Sequence, residues 1–427
     1  MTSRSETGLD GKHPNAAPSP PLAVTDGSNK DAVPRRIMVV FGTRPEAIKV
    51  SPLIKALKED TALVPITVVT GQHREMLDPI LQLFGTEPDF DLEIMTASQT
   101  LTDVTLRTLE RLFPIIVAEQ PDALVVQGDT TAAMVGALGA FYQHVPVVHL
   151  EAGLRSGDRE GPFPEEVNRR LISVVAQLNL APTELARQNL LKEGIDPAQI
   201  RVVGNTGIDA LMWAVDLHAP YGDPVLEHLD ADDRPLILVT AHRRESWGKP
   251  MHEIGRAIAR IASLEPDVAI VLPIHKNPVV RSAILPYVEH LDNVIVTEPI
   301  SYGPFARLMA RSTFLLTDSG GLQEEGPSLG KPVLVMRDST ERDEAVWAGS
   351  VQLVGTDCER IVEGAEALLH DPLQYRQMAV PRMLFGDGKA AQRSVDALAH
   401  LFGLRPQASE FVADTAVDSP SRLGRSA

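Results

Sequence analysis

The chain has little sulfur chemistry to offer: one cysteine, Cys358, in 427 residues. A lone thiol excludes an internal disulfide and a thiolate zinc cluster, and it places the protein in a reducing compartment, the cytoplasm. Positive charge is also short. With 40 Lys and Arg against 57 Asp and Glu, the formal net charge is −17, which argues against nucleic acid or an anionic membrane surface as a partner. No apolar run approaches the length of a membrane span. Two nucleotide signatures are missing as well. Without a Gly-x-Gly-x-x-Gly fingerprint or a Gly-x-x-x-x-Gly-Lys-Ser/Thr loop, redox-cofactor and nucleoside triphosphatase readings lose weight. No cofactor and no metal are expected.

What is present is a repeated alternation. Residues 36–41, 66–70, 123–126, 145–150, 178–181 and 200–203 are short apolar runs, each followed by a helix-like stretch, among them residues 102–118 and 183–193. That βα rhythm predicts a doubly wound parallel sheet. Gly204-Asn205-Thr206-Gly207 interrupts it, residues 217–234 are polar and proline-containing, and the rhythm restarts at 236–240, 268–273, 294–297, 313–317 and 333–336. The expected organisation is a disordered, uncleaved arm over 1–34, an α/β domain over 35–204 and a second over 205–385. A C-terminal helix over 386–403 packs back on the first domain, and a disordered tail covers 404–427. Neither end carries the apolar core of a structured or signal segment.

Three carboxylates stand where strands end. Asp129 and Glu151 each follow a buried-strand run, and ligands of open α/β sheets collect at carboxyl ends of strands. Glu165 can reach the same crevice from the start of the next helix. Carboxylates sharing an apolar-walled site can be driven apart in pKa, one serving as base while another stays protonated. Each also has a plainer reading. Asp129 before Thr130-Thr131 fits a helix N-cap; Glu165 and Glu166 behind Pro164 fit a helix dipole; Glu151 has no capping duty. Near the N-terminus, Thr43 and Glu46 have capping-box spacing and Pro45 suits a first turn, predicting a helix with Ala47, Val50, Ile54 and Leu57 inward. Arg44 and Lys49 would make its N-terminus attractive to a phosphate, or would be solvated charges. His73 and Arg74, behind Gln72, are weaker polar candidates at another strand exit.

The second domain repeats the pattern with different residues. His242 beside Arg243 and Arg244 could reach a diphosphate. Ser319-Gly320-Gly321 offers a hydroxyl and close backbone approach to a phosphate, and Glu325, one turn on, can accept hydrogen bonds from vicinal ribose hydroxyls.

Taken in order, FGTRPEAIK (41–49), QHRE (72–75), GDTT (128–131), EAGLRSG (151–157), PEE (164–166), GNT (204–206), HRRES (242–246), DSGGLQEE (318–325), GKPV (330–333) and TER (340–342) resemble the bacterial non-hydrolysing UDP-N-acetylglucosamine 2-epimerases over residues 36–402. The resemblance implies a GT-B architecture, two Rossmann-like domains facing a cleft, and a homodimer. It implies reversible UDP-GlcNAc to UDP-ManNAc conversion through elimination of UDP to 2-acetamidoglucal and its re-addition, serving cell-envelope polysaccharide synthesis. Residue by residue, it gives proton transfer to Asp129, Glu151 and Glu165, stabilisation of departing UDP to His242, and nucleotide contacts to Arg44, Lys49, Ser319, Gly320, Gly321, Glu325 and Arg342. Phe305 would flank the uracil, and Gln72, His73 and Arg74 would help hold an allosteric UDP-GlcNAc. Gln127 stands where relatives often carry His and would alter hydrogen bonding around Asp129. A GT-B glycosyltransferase, a hydrolysing epimerase and a silent UDP-sugar sensor are the rival readings; the first needs an acceptor groove and the last has little use for three clustered acids.

Overall fold

The computed structural model describes residues 33–71, 74–96, 99–340 and 342–414, with Arg74 described by its backbone alone. Gln72, His73 and the Arg74 side chain, the three allosteric candidates, therefore lie outside the described residues, as does nearly all of the expected N-terminal arm.

Two all-parallel sheets are formed. The first contains β1 (Arg35–Phe41), β2 (Leu63–Val69), β3 (Phe90–Asp91), β4 (Ala123–Gln127), β5 (Val147–Leu150), β6 (Leu178–Ala181) and β7 (Ile200–Val202), in the order 3-2-1-4-5-6-7. The second contains β8 (Leu236–Thr240), β9 (Ala269–Pro273), β10 (Val294–Thr297), β11 (Phe314–Thr317), β12 (Val333–Val335) and β13 (Val351–Leu353), in the order 10-9-8-11-12-13. Helices cover both faces, so the central strands are apolar without alternation: every residue from Ile37 to Phe41 and from Ala123 to Gln127 is buried. In each sheet the winding reverses between two neighbouring central strands, β1 with β4 and β8 with β11, and that reversal opens a crevice at their carboxyl ends.

The predicted strands are present with ends shifted by up to three residues. The short edge strands β3 and β13 went unread.

The Arg44–Glu59 helix starts as its sequence dictates. Thr43 N–H donates to Glu46 Oε2 at 2.7 Å, Glu46 N–H donates back to Thr43 Oγ1, and Ala47, Val50, Ile54 and Leu57 are buried. Glu46 does more than cap. Its Oε1 accepts from Thr130 Oγ1 at 2.8 Å, tying the loop after β1 to the loop after β4, and burial pushes its carboxyl above the usual range despite these donors.

The chain crosses between the sheets twice, and the crossings touch. Asn205 N–H donates to Phe385 O at 2.6 Å. Gly204 beside it has φ +94, and a Cβ there would lie 3.3 Å from that of Ala390. Asp209, buried, accepts from the Ala390 and Ala391 N–H groups at 3.2 and 2.9 Å and so caps the Ala390–Leu401 helix, which packs on the Arg44–Glu59 and Thr206–Asp216 helices.

Disorder from residue 404 onward does not hold for 405–414. Phe411 is buried against Ala152, Ala181, Leu190 and Val202, its N–H donates to Val202 O at 2.8 Å, and Glu410 pairs with Arg187 at 2.7 Å. An edge strand offers unpaired backbone groups, and β7 uses them here to hold a segment with one buried apolar anchor, Phe411.

Candidate active site

The acids at the ends of β4 and β5 are positioned by unlike devices. Gly128, at φ +70, turns the chain from β4 into Asp129. Thr130 provides the N-cap of the Thr131–Tyr142 helix, its Oγ1 accepting from Ala133 N–H at 3.0 Å. The capping reading of Asp129 is thereby overturned, and its carboxylate instead accepts from Arg169 Nη2. Burial pushes the Asp129 carboxyl up; Arg169 and Lys49 pull it back, Glu151 adds to the rise, and the outcome is a raised value.

Glu151 sits at φ +65, a conformation that costs a non-glycine residue on the order of 1 kcal/mol or more and that the surroundings must enforce. Three donors do so. Lys49 Nζ pairs with Oε1 and Gln127 Nε2 donates to Oε2, while Asn205 Nδ2 lies 3.5 Å from Oε1. Gln127 therefore serves Glu151, not Asp129 as expected. Lys49 is not a solvated charge either: burial would lower its pKa, but Glu151 and Glu324 hold it above its usual value. The two strand ends adjoin, since a Cβ on Gly128 would stand 3.7 Å from Glu151 Oε2.

The pair behind Pro164 divides. Glu166 is fully buried, accepting from Ser156 N–H at 3.0 Å and from Arg170 at 2.8 Å, so its work is structural. Glu165, the first residue of the Glu165–Val175 helix, is half-buried, and its side chain makes no hydrogen bond among the described residues.

Behind the acids lies a histidine that sequence reading passed over. His149, in β5, is wholly buried, and burial brings its pKa down to about 4. It is therefore neutral, with Nε2–H donating to Gly128 O at 2.7 Å. Asn168 Nδ2 donates to Asp129 O at 2.9 Å. Successive residues of the turn are thus held from behind.

The second sheet places an anion-friendly turn at β8 and β11. Asp318, buried, accepts from the His242 and Arg243 N–H groups, each at 2.8 Å, and its other oxygen faces His242 Nδ1 at 3.1 Å. Burial pushes its carboxyl up, and the His242 and backbone donors more than reverse that. His242 is thereby oriented, its ring stacked on His275 with centroids 5.9 Å apart. Ser319 N–H donates to Thr317 Oγ1 at 2.9 Å. At Gly320 a Cβ would lie 3.3 Å from the Arg342 guanidinium and 3.4 Å from that of Arg243, so the glycine backbone lies close between two cations. Gly321 caps the Leu322–Ser328 helix. In that helix, burial and neighbouring Glu324 push Glu325 up to about 8. Phe305, on the Tyr302–Arg311 helix, is half-buried against the shared core. Arg44 is exposed at the first turn of its helix.

One polar chain joins the two sides. Asn205 Nδ2 reaches Glu151 on one side and donates to Glu324 Oε2 at 3.0 Å on the other, and Glu324 Oε1 accepts from Arg342 Nε at 3.0 Å. Acids from the first sheet and a cation-flanked glycine turn from the second therefore face one cleft. Among the described residues, no group of three or more His, Cys, Asp or Glu could hold a metal, and no helix is long and apolar enough to cross a membrane.

Comparison with known proteins decides the family. The profile described as UDP-N-acetylglucosamine 2-epimerase matches residues 55–399. The chain belongs to that family. It is 49% identical to the UDP-N-acetylglucosamine 2-epimerase of Escherichia coli K12, over 85% of this chain and 98% of that one. Identity to the Bacillus subtilis 168 enzyme is 47%, over 87% and 97%. The UDP-GlcNAc 2-epimerase of Neisseria meningitidis, solved with UDP-GlcNAc, superposes with a TM-score of 0.76 at 42% identity, covering 86% of this chain and all of that one. The architecture is accordingly GT-B, and the protein is an isomerase by family. Within this epimerase, His149, Asn168, Arg169 and Asn205 are the site residues that strand-end reasoning missed. Asn205 lay in a recognised motif and Arg169 stands four residues, one helical turn, beyond Glu165; His149 looked like part of an apolar strand.

Proposed function

We infer that the protein interconverts UDP-GlcNAc and UDP-ManNAc without hydrolysis. The observation that carries this reading is the meeting of Asp129 and Glu151 with a cation-flanked glycine turn across one cleft, in a member of this family. Carbon 2 of the sugar is not next to a carbonyl, so direct proton removal is hard. In the proposed route a carboxylate takes the C2 proton, the C2–H electrons form the C1=C2 bond of 2-acetamidoglucal, and the C1–O bond breaks with its electrons leaving on UDP. UDP then adds back at C1 while C2 is protonated from the other face. Asp129, Glu151 and Glu165 handle the protons. His242, aimed by Asp318, stabilises the departing diphosphate, with Arg342, Ser319, Gly320 and Gly321 around it. Glu325 receives the ribose hydroxyls and Phe305 flanks the uracil. Arg44 and Lys49 complete the nucleotide contacts, Lys49 by leaving Glu151.

A homodimer fits the exposed apolar residues Phe141, Tyr142 and Val174, which are 51%, 57% and 74% exposed on adjoining helices of the first domain. The same reading places the protein in the cytoplasm, supplying cell-envelope polysaccharide synthesis, with Gln72, His73 and Arg74 at an allosteric UDP-GlcNAc site.

Proton NMR of the protein with UDP-GlcNAc in deuterated water tests the reaction. UDP-ManNAc carrying deuterium at C2, with no free ManNAc, is expected. Free ManNAc with UDP would mean hydrolysis, and no product or exchange would leave transfer or silent binding.

A further inference from the structure

Asp129 stands on a loop with its side chain 28% exposed, so something must keep it from swinging into solvent. One turn of the Glu165–Val175 helix grips it twice. Asn168 Nδ2 holds its carbonyl at 2.9 Å and reaches Thr131 Oγ1 at 3.4 Å, while Arg169 Nη2 holds its carboxylate. Arg169 is itself largely buried, at 14% exposure, and its Nη1 lies 3.6 Å from the fully buried Glu166. Glu166 is fixed independently by Ser156 N–H and Arg170, so the guanidinium rests on a rigid support.

The charged groups facing Asp129 come from three elements. Arg169 approaches from its helix, Glu151 from the end of β5 and Lys49 from the Arg44–Glu59 helix. In the free protein Lys49 is in direct contact with Glu151. Arg169 is therefore the cation in contact with Asp129, and it stands on the same helical face as Glu165, four residues earlier.

We propose that Arg169 is a positioning residue for the epimerisation, fixing the Asp129 carboxylate and governing the pH range over which it exchanges its proton. The proposal rests on the reading of Asp129 as a proton-transfer group. A cation in contact favours the ionised carboxylate, commonly by 1–3 pH units. Removing it moves Asp129 to titrate at higher pH, whichever direction of the reaction is followed.

Two readouts test this. In the first, kcat and KM for UDP-GlcNAc are followed against pH for Arg169→Gln, Arg169→Lys and the neighbouring Arg170→Gln. Arg170 reaches Glu166 and, at 3.6 Å, Glu193, so Arg170→Gln reports loss of helix support without loss of the Asp129 contact. Arg169→Gln is expected to lower kcat about tenfold or more, to change KM little, and to move one limb of the profile up by about one unit. Arg169→Lys should recover most of both, and Arg170→Gln should leave the limb in place. In the second readout, carboxyl-13C aspartate labelling follows Asp129 itself, assigned by Asp129→Asn, without substrate. Its titration should rise in Arg169→Gln, and by less in Arg169→Lys if only that variant folds. A lower kcat with unshifted limb and unshifted Asp129 titration would overturn the proposal. If the wild type shows no epimerisation, the functional reading fails on its own, and the 13C titration still decides the role of Arg169.

Discussion

The two sheets are wound in the same order and reverse at equivalent points, β1 against β4 and β8 against β11, yet their cleft ends carry opposite chemistry. The first ends in carboxylates clamped by Lys49, Gln127 and Arg169. The second ends in a glycine turn between two guanidinium groups, with a histidine oriented by a buried aspartate. A common scaffold thus supplies location only, and the residues at its strand ends decide whether a side manages protons or holds an anion.

If that division is right, damage to one side should leave the other working. The largest effect is expected from Asp129→Asn, Glu151→Gln and Glu165→Gln, each lowering turnover by roughly 10²- to 10⁴-fold while UDP affinity by calorimetry stays within about threefold. Arg342→Ala should do the reverse. Calorimetry should show UDP binding weakened by about tenfold or more, as expected for loss of a charge-assisted phosphate contact. The division sharpens at Glu325. Its value of about 8 in the free protein means that it is mainly protonated at pH 7, and acceptance of ribose hydroxyls favours the ionised form. UDP affinity should therefore rise severalfold between pH 7 and 9, with proton release detectable by calorimetry in buffers of different ionisation enthalpy, and Glu325→Gln should flatten that dependence.

The smallest effect on turnover belongs to the crossing between the two sides. Burial, with Asp387 nearby, pushes Asp209 up to about 6, above its unfolded value near 3.9. A carboxyl raised in the folded state binds its proton more tightly there, so its contribution is present at low pH and is lost as pH rises from about 4 to 6. Asp209→Asn removes the charge and keeps an acceptor for one of the Ala390 and Ala391 N–H groups, which bond to different oxygens of Asp209. Denaturant titrations should show its stability relative to wild type improving by roughly 2–3 kcal/mol between pH 4 and 7, with turnover little changed.

The sheets were legible in the sequence because both faces of the central strands are covered, which turns each into a continuous apolar run. Residue positions at strand ends were legible for the same reason, and they located Asp129, Glu151, His242 and Asp318 to Gly321 before any coordinates. What residues do once there depended on partners far along the chain. Thr130, one residue from Asp129, takes the cap and frees the acid. Lys49 looks like a surface charge until Glu151, 102 positions later, is folded onto it. Asn205 sits among turn residues and becomes the link between the domains only when Glu151 and Glu324 converge on its amide. Phe411 could not be read at all, because a short run such as Phe411-Val412-Ala413 shows no period and does not reveal which residue is the anchor.

The most direct test of the division is deuterium exchange at C2 of UDP-GlcNAc, followed by NMR in deuterated water at matched, saturating occupancy in wild type, Asp129→Asn, Glu151→Gln and Glu165→Gln. Exchange in the wild type with loss of at least two orders of magnitude in the variants, UDP still bound, is the expected result. Exchange persisting near the wild-type rate in all three variants would contradict the assignment of proton handling to the first domain.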